Sequence, residues 1–155
     1  YLSRVDKLSD WLKDVEDIDT LLQFIFAECV ETNIGIKAPC FVFGFPASQA
    51  SLAKINQDDS RVADRFECYF KGVELANGFC ELTDADIQLK RFKQDNISRR
   101  EHGKNERPID DRFINGLIHG LPECSGVALG IDRLLMLATN EKSIENVISF
   151  GISRA

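Results

Sequence analysis

Apolar positions recur at Ile18, Leu21, Leu22, Ile25, Phe26, Cys29 and Val30, the i, i+3, i+4, i+7 spacing of one helical face. This predicts an amphipathic helix, capped by Asp17 or Asp19 and closed by Thr32-Asn33-Ile34-Gly35. Leu2, Val5, Leu8, Trp11 and Leu12 repeat the spacing more roughly and predict a helix before it. From Pro39 to Pro46 the period is lost, and Phe41, Val42, Phe43 and Phe45 favour a buried strand. After a polar turn around Asn56 to Ser60, Arg65 to Lys71 alternates in character, Gly72 breaks it and Val73 to Phe79 resumes it. Two antiparallel strands joined tightly are expected there.

Thr83 with Asp86 three residues on resembles a capping box, opening a helix from about Asp84 to Glu101 with Leu89 and Phe92 inward and Gly103 at its end. Pro108 precedes a short helix near Asp110 to His119, and Val147 to Phe150 reads as a last short strand. Seven Lys or Arg between Lys90 and Arg107 face only Asp95, Glu101 and Glu106, a pattern of a solvated face.

Between these lies Cys124 to Met136, a small-residue strand running without a spacer into a helix that carries Asp132 and Arg133 at its start. Gly126, Ala128 and Gly130 alternate with Val127 and Leu129, so the small residues share one face, expected open, and the large ones the other, expected packed. A flat ligand fits against such a bare face, and a helix start with a guanidinium suits phosphate. Glycines that merely turn the chain would give the same spacing.

Composition narrows the chemistry. The 155 residues are 44% hydrophobic and 28% charged, ordinary for one globular domain. The five cysteines are odd in number, form no C-x-x-C pair and mostly sit in apolar runs, which predicts buried thiols in a reducing, cytoplasmic setting. Only His102 and His119 are present, both at expected loop or helix-end positions, so a histidine metal cluster or a Ser-His-Asp triad is not expected. A formal charge of −6 speaks against broad nucleic-acid binding, and no apolar stretch long enough for a membrane span or leader is visible. The absent initiator Met suggests that Tyr1 is a processing or cloning boundary, with functional residues expected upstream.

Acids recur at Glu67, Glu74 and Glu81 in an otherwise strand-like context. Glu67 and Glu74, on neighbouring strands, are placed to converge on one Mg²⁺ that also holds phosphates. Asn77, Phe79 and Glu81 share a parity, offering an amide, a ring and a carboxylate to a cationic amine. A solvated strand face would read the same way.

Two stretches decide between these. G-V-E-L-A-N-G-F-C-E-L-T-D, Gly72 to Asp84, and S-G-V-A-L-G-I-D-R-L-L-M-L, Ser125 to Leu137, resemble the class II lysyl-tRNA synthetase catalytic domain, the second being its motif 3. The likeness runs from about Pro39 to the end and includes Arg65-Phe66-Glu67. The sequence most resembles the shortened branch of that family that ligates β-lysine to elongation factor P. Phe45 to Ala53, F-P-A-S-Q-A-S-L-A, supports that branch, as does Ala128 where lysyl-tRNA synthetases carry glycine.

The resemblance implies an α+β fold, an antiparallel sheet flanked by helices. Residues 1–155 would be a single partial domain, the C-terminal portion of the catalytic domain, with motifs 1 and 2 before Tyr1. It implies ATP and Mg²⁺, with Glu67 and Glu74 holding the metal, and with Glu74, Leu75, Gly130 and Arg133 serving ATP. Glu74 and Arg133 would act in catalysis, and Asn77, Phe79, Glu81 and Ala128 would contact the lysine or β-lysine substrate. Its acyl acceptor would be a lysine of elongation factor P rather than tRNA, in a homodimer of the full-length protein. A tRNA-charging enzyme and an inactive nucleotide-binding paralogue are the alternatives.

Overall fold

The computed structural model describes residues 15–152. The helix expected over Leu2 to Leu12 lies outside them. Asp17 accepts a hydrogen bond from the Thr20 N–H at 3.0 Å and caps α1 (Ile18–Ile25). The winding then loosens to a π turn over Phe26–Val30 and tightens to a 3-10 turn over Glu31–Asn33, so the one predicted helix is made of three windings. Strands β1 (Cys40–Pro46), β2 (Val62–Phe70) and β3 (Val73–Cys80) follow, then α2 (Ala85–Glu101), α3 (Asp111–His119), β4 (Ser125–Leu129) and α4 (Ile131–Thr139). The strands form one sheet in the order β1-β2-β3-β4. Lys71 and Gly72 both take positive φ, 50° and 72°, and make the tight join expected between β2 and β3 a two-residue turn.

The chain divides into two compact units. The first is drawn from Tyr1–Phe43, Phe66–Gly78 and Val127–Ala155. It buries Cys68, Tyr69, Leu75 and Ala76, with Phe26 edge-on to Tyr69 at 5.7 Å. Gly35 comes so close to β2 that a Cβ there would lie 2.5 Å from the Tyr69 carbonyl oxygen, and its own φ is +66°. Only glycine combines that contact with that backbone.

The second unit is drawn from Gly44–Arg65 and Phe79–Gly126. Its core is Ala50, Ala53 and Ala63, with Ile55 and Phe79 packed against them. Gln88, 1% exposed, is the buried residue of α2, where Leu89 and Phe92 are half-buried and Phe92 meets Phe113 at 5.9 Å. The basic run is largely structural here. Arg91 Nη1 donates to the Ser51 and Ala53 carbonyls at 2.9 and 2.7 Å, Arg99 Nε to Asn105 O at 2.8 Å, and Arg100 pairs with Glu106.

Five expectations are corrected. Among the described residues strand β1 is at a sheet border and exposes Phe41 and Phe43, 59% and 78%, rather than burying them. The cap of α2 is Asp84, which accepts from the Ile87 N–H at 2.9 Å, not Thr83; its carboxylate reaches the free donor one residue further in. Val147 to Phe150 forms no strand, because Ser143 caps a 3-10 turn over Ile144–Asn146 and the Val147 and Ile148 N–H groups turn back to the Ile144 carbonyl. Of the five free cysteines only Cys68 is buried. Val127 and Leu129 of β4 are exposed, 61% and 48%, so the large-residue face is not packed among the described residues. His102 caps the C-terminus of α2 and His119 ends α3, as expected.

Candidate active site

In the first unit β4 passes straight into α4 through Gly130, the helix N-cap, which carries no side chain to fill the free N–H groups of the first turn. Gly130 donates its own N–H to the Leu75 carbonyl at 2.8 Å. Arg133, one turn into α4, donates from Nη1 to the Glu74 carbonyl at 2.8 Å and lies 3.5 Å from Glu74 Oε2. Glu74, Leu75, Gly130 and Arg133, the residues expected to serve ATP, are therefore gathered at one place. The guanidinium is half-exposed, open to an anion from solvent.

Beside them sits an acidic group. Glu67 is buried and accepts from the Tyr69 hydroxyl at 2.5 Å and from Asn77 Nδ2 at 3.1 Å. Burial first, then the bonded Glu67 carboxylate, with Glu31 and Glu74 adding to it, hold the Tyr69 phenol far above its ordinary pKa. Glu31, from the 3-10 turn after α1, belongs to the same group: burial and the Glu74 and Glu67 carboxylates raise its pKa, against a pull downward from Arg133. It escapes the sequence pattern because a lone acid beyond an apolar stripe looks like any solvated position. Glu67 is committed to internal hydrogen bonds, whereas Glu74 is half-exposed. Among the described residues no three His, Cys, Asp or Glu are placed to hold a metal by themselves. Two carboxylates completed by phosphate oxygens would suit Mg²⁺.

The main-chain bonds Gly130 N–H to Leu75 O and Glu81 N–H to Cys124 O share one antiparallel register. That register sets Ala128 opposite Asn77, so these two predicted substrate contacts are cross-strand neighbours. The other two, Phe79 and Glu81, belong to the second unit. The Arg65 guanidinium lies 4.5 Å from the Phe45 ring centre and 5.8 Å from that of Phe79, and its Nη1 donates to Gln49 O at 2.9 Å. Glu81 also bridges to Ala53.

The sequence profile of the class II tRNA synthetases (D, K and N) matches residues 13–154. The chain belongs to this family. Its α+β sheet with flanking helices is the fold of that class II domain. Among curated relatives, an elongation factor P–(R)-β-lysine ligase from Yersinia enterocolitica is 59% identical over 148 residues, 96% of this chain and 46% of the relative. Proteins of the same name from Sodalis glossinidius and Proteus mirabilis are 59% and 57% identical over 90% and 96% of the chain, and 43% and 46% of their own lengths. The chain thus spans under half the length of these class II relatives. Among the described residues no helix is long and apolar enough to cross a membrane.

Proposed function

We propose that the protein carrying this chain activates a lysine-like amino acid, β-lysine, as its acyl-adenylate and transfers it to a lysine side chain of elongation factor P. The convergence of Glu74, Leu75, Gly130 and Arg133 around an exposed guanidinium carries this reading, and the names of the relatives support the choice of substrates. The amino-acid carboxylate attacks the α-phosphorus of ATP and pyrophosphate leaves. The acceptor amine then attacks the acyl carbon, loses its proton and releases AMP. No protein nucleophile is needed, in keeping with a site of acids, one amide and one arginine.

Arg133 pairs with phosphate charge through its free donors. Glu74 and Glu67, with Glu31 alongside, would hold Mg²⁺, which would supply positive charge to offset that of the phosphates. Glu81 receives the substrate's amine, and Asn77, Phe79 and Ala128 are the other residues assigned to the substrate. Residues 1–155 act as one partial catalytic domain within a cytoplasmic homodimer.

The test uses the full-length protein with elongation factor P, ATP and β-lysine. A mass gain of one β-lysyl group, dependent on all three, is the expected result. Charging of tRNA in its place would make the protein a lysyl-tRNA synthetase, and absence of amino-acid-dependent pyrophosphate exchange would make it an inactive paralogue.

A further inference from the structure

Glu81 stands one residue past β3 with its main chain fixed on both sides. Its N–H donates to Cys124 O at 3.0 Å, it bridges to Ala53, and the flanking bonds Lys54 N–H to Cys80 O and Leu82 N–H to Leu52 O are 2.8 and 2.9 Å. Its carboxylate, by contrast, makes no hydrogen bond or ion pair to any described residue. What locates the carboxylate is shape: it rests over the bare backbone of Gly126. A Cβ built on Gly126 would collide with Glu81 Oε1 and lie 3.3 and 3.8 Å from Cδ and Cγ, so its three nearest atoms all belong to Glu81.

We propose that Gly126 is a positioning residue for amine recognition, its missing side chain being the space in which the Glu81 carboxylate is held. The inference rests on the reading of Glu81 as the group that receives the substrate's amine. A methyl at Gly126 meets the far end of a flexible side chain rather than backbone, so the carboxylate moves while the pinned main chain stays. A charged contact is sensitive to such a shift, because a carboxylate set out of line leaves the ammonium incompletely paired. Gly126 takes no positive φ; the position needs glycine for the room it leaves, not for its backbone.

The experiment is amino-acid-dependent pyrophosphate exchange by the full-length protein and its Gly126→Ala variant, with lysine, β-lysine and norleucine, which keeps the shape of lysine without the side-chain amine. The variant is expected to raise KM for the amine-bearing substrate at least about 10-fold and to lower its preference over norleucine by a similar factor, with KM for ATP within about twofold. A merely structural role would leave the preference over norleucine unchanged. Unchanged KM and preference in an active variant overturn the inference alone, and a Gly126→Ala protein that does not fold overturns it too. A wild-type protein that does not distinguish lysine-like amino acids from norleucine removes the reading of Glu81 and this inference with it.

Discussion

Arg133 Nη1 lies 2.8 Å from the Glu74 carbonyl oxygen, a contact made across 59 positions of the chain. The guanidinium is steadied by main chain more closely than by the Glu74 carboxylate at 3.5 Å. Nε and Nη2 make no hydrogen bond to any described residue. Arg133→Ala in the full-length protein is expected to lower kcat/KM for ATP by about 10²- to 10³-fold. Arg133→Lys, which keeps the charge but loses the fork, should recover only part of that. Thermal melts should barely move, because the side chain is half-exposed; a large drop would assign it a structural role.

Glu31 gives a pH-dependent prediction. Its carboxyl is raised above the ordinary carboxylate range by burial and by the Glu74 and Glu67 carboxylates. The native state therefore holds that proton more tightly than the unfolded chain, and stability is lost as pH rises from the unfolded pKa through the folded one. Glu31→Gln removes the penalty. Melts of the full-length protein should show the variant more stable at pH 7 and the difference gone near pH 4. Millimolar Mg²⁺ should narrow the gap at pH 7.

Tyr69 acts at the other end of the scale. Its phenol, raised above 10.0 by burial and by its bond to Glu67, stays neutral in the native state at pH values where an unfolded tyrosine ionises. Stability is fully present below pH 10 and falls as pH climbs beyond it. Tyr69→Phe should flatten that alkaline slope in melts between pH 9 and 12 and reduce stability at pH 7 by about 1–3 kcal/mol through loss of the hydrogen bond to Glu67.

Gly35→Ala should destabilise the protein by about 2–5 kcal/mol, the sum of a strained φ and a methyl driven against the Tyr69 carbonyl. Urea unfolding measures it, with a lower midpoint at unchanged slope as the expected form.

Arg91 is one of the structural members of the basic run. Burial pulls its pKa down, against the nearby Asp95, and its Nη1 holds two carbonyls on the segment that carries Ala53. Arg91→Met, which keeps most of the apolar stem, should cost about 1.5–3 kcal/mol in the same urea experiment.

Local chemistry made part of this legible in the sequence. Asp17 caps α1 and Lys71-Gly72 closes the hairpin, because caps and two-residue turns depend on few neighbouring residues. The gathering of Glu74 with Arg133 followed from family motifs rather than from spacing. Three kinds of feature were not legible. Glu31 joins the acids through a change of winding after α1 that no periodicity marks. Gln88 is buried at a polar position, which only tertiary packing decides. Val147 to Phe150 has strand-like residues, but the Ser143 turn claims their N–H groups first.

The aromatic rings of β1, exposed among the described residues, bear on how the chain can be handled. A border strand with Phe41 and Phe43 outward is a template for stacking by any extended peptide of like character. Two gatekeepers oppose this: Pro46, which withholds an amide from the row, and a surplus of six negative charges, which gives colloidal repulsion. Solubility should therefore fall steeply with added salt, and acid near the isoelectric point of about 5.0 should precipitate the chain first.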